Sequence, residues 1–225
     1  MKLAVMMGTL CIAILGVVGC SSKTVAPDEY SGFLKDYSQL KEAKSPSGAE
    51  VMRWMDPKLD INKFTSVYIE PSQLYPKPQP TAKIPQQTLN GITSYYDQAL
   101  KREIGKSLPL ATGPGPGVIV VRPAITAVSS KTEGLHAYEV IPIALVAAAV
   151  STASGIRDQE TTLATEAVFL DGGSNGVVAQ VVRKGTGTPL ENSSQVMKAD
   201  DVKKVIDGWA VDMHQTYLKL KAEAK

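Results

Sequence analysis

The chain has 225 residues with 24 basic and 22 acidic side chains, and its formal net charge of +2 gives it no electrostatic signature of a nucleic-acid-binding protein. Its only cysteines, Cys11 and Cys20, lie at the start of the chain, so the rest has none for a disulfide. Enough residues follow them for one domain that folds on an apolar core alone.

The first 20 residues have the layout of a secretory signal peptide. Lys2 precedes an uncharged apolar run at 3–18, and Gly19 stands directly before Cys20. Such a run is too short for a transmembrane helix and has the wrong flanks for one. A cysteine after a small residue resembles the bacterial lipobox, in which this cysteine is acylated and becomes the new N-terminus. We therefore expect a signal peptide at 1–19 and lipidation, including palmitate, at Cys20; an ordinary signal peptide that is cut nearby is the alternative.

The residues after Cys20 indicate where such an anchor would be inserted. In Gram-negative lipoproteins an Asp after the cysteine commonly marks retention in the inner membrane, and here Ser21 takes that place. By resemblance to this sorting rule we expect the periplasmic face of the outer membrane, with a Gram-positive plasma membrane as the alternative. Residues 20–29 are small, polar and proline-containing, which is typical of a flexible tether.

A single α+β domain is predicted over 30–225. Phe33, Leu34, Tyr37 and Leu40 have helical spacing and predict a short amphipathic helix, which a loop follows. Further along, the patterns predict a strand at 64–70, a helix at 88–108, strands at 118–128, 160–170 and 177–184, and a helix at 200–223. This β-α-β-β-β-α order predicts a two-layer sandwich in which two main helices cover one face of a four-stranded mixed sheet.

Catalytic and metal-binding patterns are scarce in the sequence. His136 and His214 are too few for a metal site, and no nucleophile motif is present. Glu166 is the one acid in the middle of an apolar strand. It is either a tuned acid or base, a solvent-facing residue or a partner of Arg122 on the neighbouring strand; we favour the two structural interpretations. We expect no enzyme activity, no cofactor and no metal.

An apolar segment at 138–155 is rich in small residues and carries no charge between Val140 and Val150. Three interpretations stay open: a core element, a subunit interface in which small residues allow close approach, and a lipid-contacting element. The candidate interface residues are Val140, Ile141, Ile143, Leu145, Val146 and Val150.

A set of ordered motifs along the chain resembles a known family. The motifs are Phe33-Leu34-x-Asp36-Tyr37-Ser38-x-Leu40, Arg122-Pro123-Ala124-Ile125-Thr126, an apolar run that contains Pro142, and Glu166-Ala167. Together they resemble the bacterial lipoproteins grouped as domain of unknown function 3313, over about residues 30–220. The resemblance implies a lipoprotein that faces the periplasm, and it implies no activity.

These observations predict a non-enzymatic, outer-membrane-anchored module of the cell envelope. The anchor on Cys20 ties it to the membrane, and a protein partner or a second copy would bind a sheet edge or the 138–155 segment. Two alternatives are a carrier or chaperone of lipid or other apolar cargo, and a subunit of an envelope assembly or secretion complex. A hydrolase that acts through Glu166 is the contrasting hypothesis.

Overall fold

The computed structural model describes residues 24–132 and 159–224, which form an α+β fold. Its strands are β1 (Lys41–Lys44), β2 (Glu50–Met55), β3 (Ser66–Ile69), β4 (Gln73–Leu74), β5 (Val118–Thr132), β6 (Gln159–Asp171) and β7 (Val177–Thr186). The helices are α1 (Gln86–Ile104) and α2 (Asp200–Glu223), with 3-10 turns at Pro27–Glu29 and Ile61–Lys63. One sheet has the strand order β1-β2-β7-β6-β5-β3, and β4 pairs with β5 beyond the end of β3.

The sheet is mixed, as predicted, and mostly antiparallel. Strands β5, β6 and β7 form its antiparallel centre. Strands β3 and β4 run parallel to β5, on the side of β5 that faces away from β6. Pro123 lies between the part of β5 that pairs with β3 and the part that pairs with β4. A proline has no backbone N–H to donate to a neighbouring strand, so it is tolerated where the pairing with β3 and β4 is interrupted. The bulge in β5 comes slightly later, between Ile125 and Ala127.

Both long helices lie on one face of the sheet, which we call the helix face. The predicted apolar stripe of α1 is buried there through Leu89, Ile92, Tyr96, Leu100 and Ile104. In α2 the buried stripe includes Val202, Ile206 and Trp209. The sheet contributes fully buried side chains from β5 and β6 to the same core. This large apolar cluster stabilises the domain, because each side chain removes its apolar surface from water.

The opposite face of the sheet is covered by residues 24–40, which we call the N-terminal strap. Its buried Val25, Leu34 and Leu40 pack with Ala127, Ala164 and Val182 of the sheet. The predicted two-layer arrangement is therefore incomplete, because the strap adds an irregular third layer. We define this side as the strap face.

The helix predicted at 30–40 is wrong. Gly32 has a φ of 85°, outside helical backbone conformations. The hydroxyl of Tyr37 accepts hydrogen bonds from the backbone N–H groups of Gly32 and Leu34 at 2.8 and 3.1 Å. These bonds stabilise an irregular conformation of the segment, in which Leu34 and Leu40 are buried while Phe33 and Tyr37 are partly buried.

The prediction of four strands is also wrong, because the sheet has seven. Strand β1 and the turn after it lie in the predicted loop at 41–50, while most of β2 and the short β4 lie where no strand was predicted. Strand β1 has the sequence Lys-Glu-Ala-Lys and lies at the edge of the sheet. A short charged edge strand discourages pairing with other chains, and it lacks the apolar alternation by which strands are recognised.

Several predictions concern residues that the structure does not describe. Cys20 and the first four residues of the predicted tether, 20–23, precede Thr24, and the six candidate interface residues of the 138–155 segment lie between Thr132 and Gln159. The end of the predicted tether, residues 24–29, is described and lies on the strap face. There Val25 is 5% exposed, and Glu29 forms an ion pair with Lys184 of β7 at 3.1 Å.

Candidate functional site

A cavity of about 100 Å³ lies between the helix face of the sheet and the second half of α2. Its lining is predominantly apolar and includes Met55, Phe169, Val178, Met213, Tyr217 and Leu220. Binding sites for small molecules are typically concave and apolar, with a few polar groups that orient the ligand. Two arginines, Arg53 and Arg183, supply the positively charged groups in this lining.

Arg183 is buried although it carries a charge. Arg183 follows Val182 on β7, and successive residues of a strand face opposite sides of the sheet. Val182 packs under the strap, so the side chain of Arg183 lies on the helix face. Its side chain is 8% exposed, and its closest carboxylate oxygen, Oδ2 of Asp212, is 3.6 Å from Nη1. The same Nη1 donates a long hydrogen bond, 3.4 Å, to the carbonyl oxygen of Trp209.

The guanidinium of Arg183 is only partly satisfied. Its Nε is buried and has no hydrogen-bond partner among residues 24–132 and 159–224. Burial lowers the pKa of Arg183, although nearby Tyr96 and Asp212 oppose this effect. A buried donor without a partner costs free energy, because folding removes the water that would solvate it. Such a group inside a cavity is a natural contact point for a ligand that accepts hydrogen bonds.

Asp212 does not satisfy Arg183 because its oxygens bind elsewhere. Its Oδ1 accepts a hydrogen bond from the backbone N–H of Ser47, and its Oδ2 accepts one from the Ser47 hydroxyl, both at 2.9 Å. Ser47 lies in the turn between β1 and β2, where Gly48 has a φ of 85°. The carboxylate therefore holds this hairpin against α2 and stays beyond hydrogen-bond distance of the guanidinium.

Arg53 adds a second positive charge to the cavity. It lies on β2 opposite Val181 of β7 and is half-buried. No ion pair of Arg53 is present in the described part of the chain. Among the described residues Asp212 is the one carboxylate that contacts Arg183, so the two guanidinium groups leave an excess of positive charge at the cavity.

Glu166, the acid that the sequence singled out, lies on the strap face and not in the cavity. It is 1% exposed, so the solvent-facing interpretation is wrong. The proposed pairing with Arg122 is also wrong, because Arg122 binds Glu70 of the β3 edge at 2.6 and 2.9 Å. Glu166 instead accepts hydrogen bonds from the backbone N–H groups of Ser31 and Leu34 at 3.0 and 3.3 Å.

A third donor completes this carboxylate site. The hydroxyl of Tyr37 donates to Oε2 of Glu166 at 2.6 Å, and the ring of Tyr37 stacks on Tyr30 with their centroids 4.3 Å apart. Burial, followed by the hydrogen bond to Glu166, raises the pKa of Tyr37 to about 12. All three partners of Glu166 belong to the strap. The geometry is that of a structural lock, in which a buried carboxylate is satisfied by several donors.

Asp207 and His214, two polar residues of α2, bind different partners. Asp207 accepts hydrogen bonds from Tyr95 and forms an ion pair with Arg102 at 2.6 Å. His214 lies with Nε2 2.6 Å from the hydroxyl of Ser107. A catalytic Ser-His pair needs a third group to orient the ring, and the described residues show no other hydrogen bond of His214.

No arrangement within the described ranges points to catalysis or metal binding. They hold no cluster of three or more His, Cys, Asp or Glu side chains with the geometry of a metal site, and His136 lies outside them. Neither described helix has the length and apolar character that crossing a membrane requires.

Neither the two cavity arginines nor Asp212 were predicted as site residues from the sequence. A signal for two of them existed: Arg183 follows the Val-Val pair of β7, and Asp212 stands beside Met213 on the apolar stripe of α2. A charged residue at a position that should be buried marks an ion pair or a site. The sequence does not reveal that Ser47, from a predicted loop, takes the carboxylate.

Two solved structures share a remote likeness with the fold. A PelC dodecamer from Paraburkholderia phytofirmans has a TM-score of 0.39 and 10% identity, over 73% of this chain and 96% of that one. XCC0632 from Xanthomonas campestris, of family DUF330, has a TM-score of 0.41 and 11% identity, over 76% and 93%. At these TM-scores the likeness gives no information on function or assembly.

Sequence relatives are much closer. The uncharacterized lipoprotein YdcL of Escherichia coli K12 is 42% identical over 199 residues, which are 88% of this chain and 90% of the relative. The protein of the same name from Escherichia coli O157:H7 has the same identity and coverage. The family model described as protein of unknown function, DUF3313, matches residues 29–213. The resemblance read from the sequence motifs is thus confirmed, and the chain belongs to the DUF3313 family.

Proposed function

We propose that the chain is a lipoprotein of the Gram-negative cell envelope, anchored through Cys20 to the periplasmic face of the outer membrane. Residues 1–19 would be removed as a signal peptide, and acyl chains including palmitate would be attached to Cys20. The lipobox-like sequence and the relative named a lipoprotein support this proposal. Two or more acyl chains are enough for stable attachment.

The observation that carries the proposal is the position of the N-terminal strap. The first described residues after Cys20, Thr24 and Val25, are 7% and 5% exposed and belong to the folded domain. Residues 20–23 span at most about 14 Å when fully extended. We infer that the domain predicted at 30–225 would begin earlier, so that the flexible tether predicted at 20–29 would comprise its first residues alone. Such a short link would hold the domain close to the membrane surface.

In this position the domain would act as a non-enzymatic interaction module that recognises a protein or another envelope component. Of the two contact surfaces considered, the β1 edge is the less suitable, because it is short and carries Lys41 and Lys44. The candidate interface is the segment that contains Val140, Ile143 and Leu145. It would bind a protein partner or a second copy of the chain.

The anchor is tested by replacing each cysteine in turn. Cys20→Ser should abolish incorporation of labelled palmitate and leave an unprocessed precursor that its signal peptide holds at the inner membrane, so that it is lost from the outer-membrane fraction, whereas Cys11→Ser should do none of these. The Ser21→Asp variant tests the choice of membrane, since it should move the protein to the inner-membrane fraction of a density gradient. If Cys20→Ser matures and fractionates like the wild type, the anchoring proposal is wrong.

Self-association through the 138–155 segment has a separate test. Light scattering on a protein of residues 21–225 should show a mass above that of one chain, and Ile143→Lys should restore the monomer. Leu110→Lys is the matched control, because Leu110 is 50% exposed and apolar but lies elsewhere. A wild-type protein that is monomeric at all concentrations would exclude the homo-oligomer and leave a different partner to be captured by crosslinking.

A second candidate function, a carrier of apolar cargo, is favoured by the cavity on the helix face. Its apolar lining would accept part of a lipid or a similar molecule. Native mass spectrometry of protein purified without detergent should then detect a co-purified apolar molecule. Its absence, together with failure to bind any added amphiphile, would contradict the carrier function and leave the anchoring proposal intact.

A further inference from the structure

We propose that the cavity binds a single-chain amphiphile by its acyl tail, while Arg53 and Arg183 bind the anionic head group, a carboxylate or a phosphate monoester. This inference rests on the carrier function and gives the cargo a chemical class. It follows from three features of the described residues: the apolar volume, the unsatisfied guanidinium and the excess of positive charge.

The tail is indicated by the size and lining of the cavity. A volume of about 100 Å³ corresponds to about three water-sized groups, at roughly 30 Å³ for each. A methylene group is close to water in size, so the cavity encloses about three methylene groups of a longer acyl chain. Met213 and Leu220 of α2 face Val178 and Phe169 across it. Adaptable side chains such as Met accommodate a flexible chain well.

The head group is indicated by Arg183. Its Nε is buried without a partner, and Asp212 stays 3.6 Å from Nη1 because Ser47 occupies both carboxylate oxygens. An incoming carboxylate or phosphate would accept the hydrogen bonds that Asp212 does not. Planar guanidinium groups are well suited to this role, since they bind such anions through two parallel N–H donors.

Arg53 determines the sign of the preferred head group. It lines the same cavity from β2 and forms no ion pair within the described part of the chain. The two guanidinium groups repel a cationic amphiphile, whereas a neutral one would leave their positive charge unbalanced. An anionic head group balances the charge of Arg53 and also provides acceptors for Arg183. The tail then extends away from the arginines along the apolar lining.

Calorimetric titration of a protein of residues 21–225, which retains every described contact, tests the inference with defined probes. Decanoate and decyl phosphate represent the two head groups, and 1-decanol is the neutral analogue. We expect both anions to bind at least tenfold more tightly than 1-decanol. Decanoate should bind roughly 60-fold more tightly than acetate, because about three methylenes enter the cavity and each contributes about fourfold. The anion that binds more tightly identifies the head group.

Two variants separate the head group from the tail. Arg53→Met and Arg183→Met should each weaken decanoate binding at least tenfold and leave 1-decanol binding unchanged. Arg122→Met is the matched control, since it removes the same charge from a strand but pairs with Glu70 outside the cavity. Val178→Phe fills the cavity and should weaken both probes equally. If Arg183→Met does not fold, Arg53→Met decides, because Arg53 is half-buried and holds no ion pair in the described ranges.

Each unfavourable outcome has its own meaning. Equal binding of decanoate and 1-decanol, or equal losses in Arg53→Met and Arg122→Met, would overturn the head-group assignment while the carrier function stands. Failure of all amphiphiles to bind would overturn both. Tighter binding of decyltrimethylammonium than of decanoate would show that the charge argument is wrong.

Discussion

The two faces of the sheet are covered in different ways. On the helix face, α1 and α2 bury a large, continuous apolar cluster with many fully buried side chains. On the strap face, a segment without regular structure beyond one 3-10 turn buries a smaller cluster and depends on polar contacts of Glu29 and Glu166. The comparison teaches that non-directional apolar burial is enough to place helices, whereas an irregular segment needs directional bonds to fix its path.

The faces also differ in how well their charges are satisfied. Glu166 on the strap face is buried and accepts three hydrogen bonds. Arg183 on the helix face is similarly buried, yet its Nε has no partner in the described part of the chain. A satisfied buried charge rigidifies a structure, whereas an unsatisfied one marks a place where a ligand gains binding energy. This difference is why we assign structure to the first and ligand binding to the second.

The largest expected effect comes from the helix face. Leu163→Ala should lower the free energy of unfolding by about 2–5 kcal/mol, because it leaves a cavity at a fully buried position of β6. Hydrogen exchange should accelerate throughout the sheet and both helices. The control is Leu218→Ala at a position that is 46% exposed, which should have little effect. If chemical denaturation shows equal losses of unfolding free energy in the two variants, the helix face does not dominate stability.

The second effect tests the lock of the strap. Glu166→Gln turns one acceptor oxygen into a donor that faces the donors of the strap, and should cost about 3 kcal/mol. Because the helix-face core stays intact, the strap should become sensitive to protease while the exchange of α1 and α2 changes little. Glu70→Gln, which breaks the more exposed pair with Arg122, should cost less than about 1 kcal/mol. If Glu166→Gln unfolds globally without earlier release of the strap, Glu166 does not hold the strap independently of the helix-face core.

A smaller effect concerns pH. The pKa of Tyr37 is raised to about 12 in the fold, so the folded protein keeps a proton that the unfolded chain loses from about pH 10 upward. The contribution of Tyr37 to stability is therefore complete below pH 10 and declines between about pH 10 and 12. Burial and Glu166 also raise the pKa of Tyr30. Tyr37→Phe should make stability less dependent on pH in this range; an unchanged pH profile from denaturation measurements would contradict this role.

The smallest effect tests the contact between the β1–β2 turn and α2. Ser47→Ala removes the hydroxyl donor to Asp212 and keeps the backbone N–H donor, and should cost about 1.5 kcal/mol. The loss should appear as faster hydrogen exchange in β1 and β2, with the strap unaffected. The control is Ser38→Ala, at an exposed serine of the strap. If Ser47→Ala changes the hydrogen-exchange protection of the strap, the two faces of the sheet are energetically coupled.

Elements whose burial depends on apolar periodicity could be predicted from the amino-acid sequence. The stripes of α1 and α2 and the β-branched runs of β5, β6 and β7 predicted the α+β class and the helix face, because burial depends on spacing that is visible in the chain. The family was also recognisable, since its motifs lie in order along the chain. The predictions on Cys20 and on the 138–155 segment await their experiments.

The strap, the charged β1–β2 hairpin and the cavity are visible in the folded chain but not in its sequence. In each of them the outcome depends on a partner far away in sequence: Glu166 for Ser31 and Leu34, and Ser47 for Asp212. A hydrogen bond of this kind has no periodic signature, because any acceptor that folding brings within reach of the donor will serve. Charged residues in the core, and an irregular segment that covers it, therefore became readable only once the chain was folded.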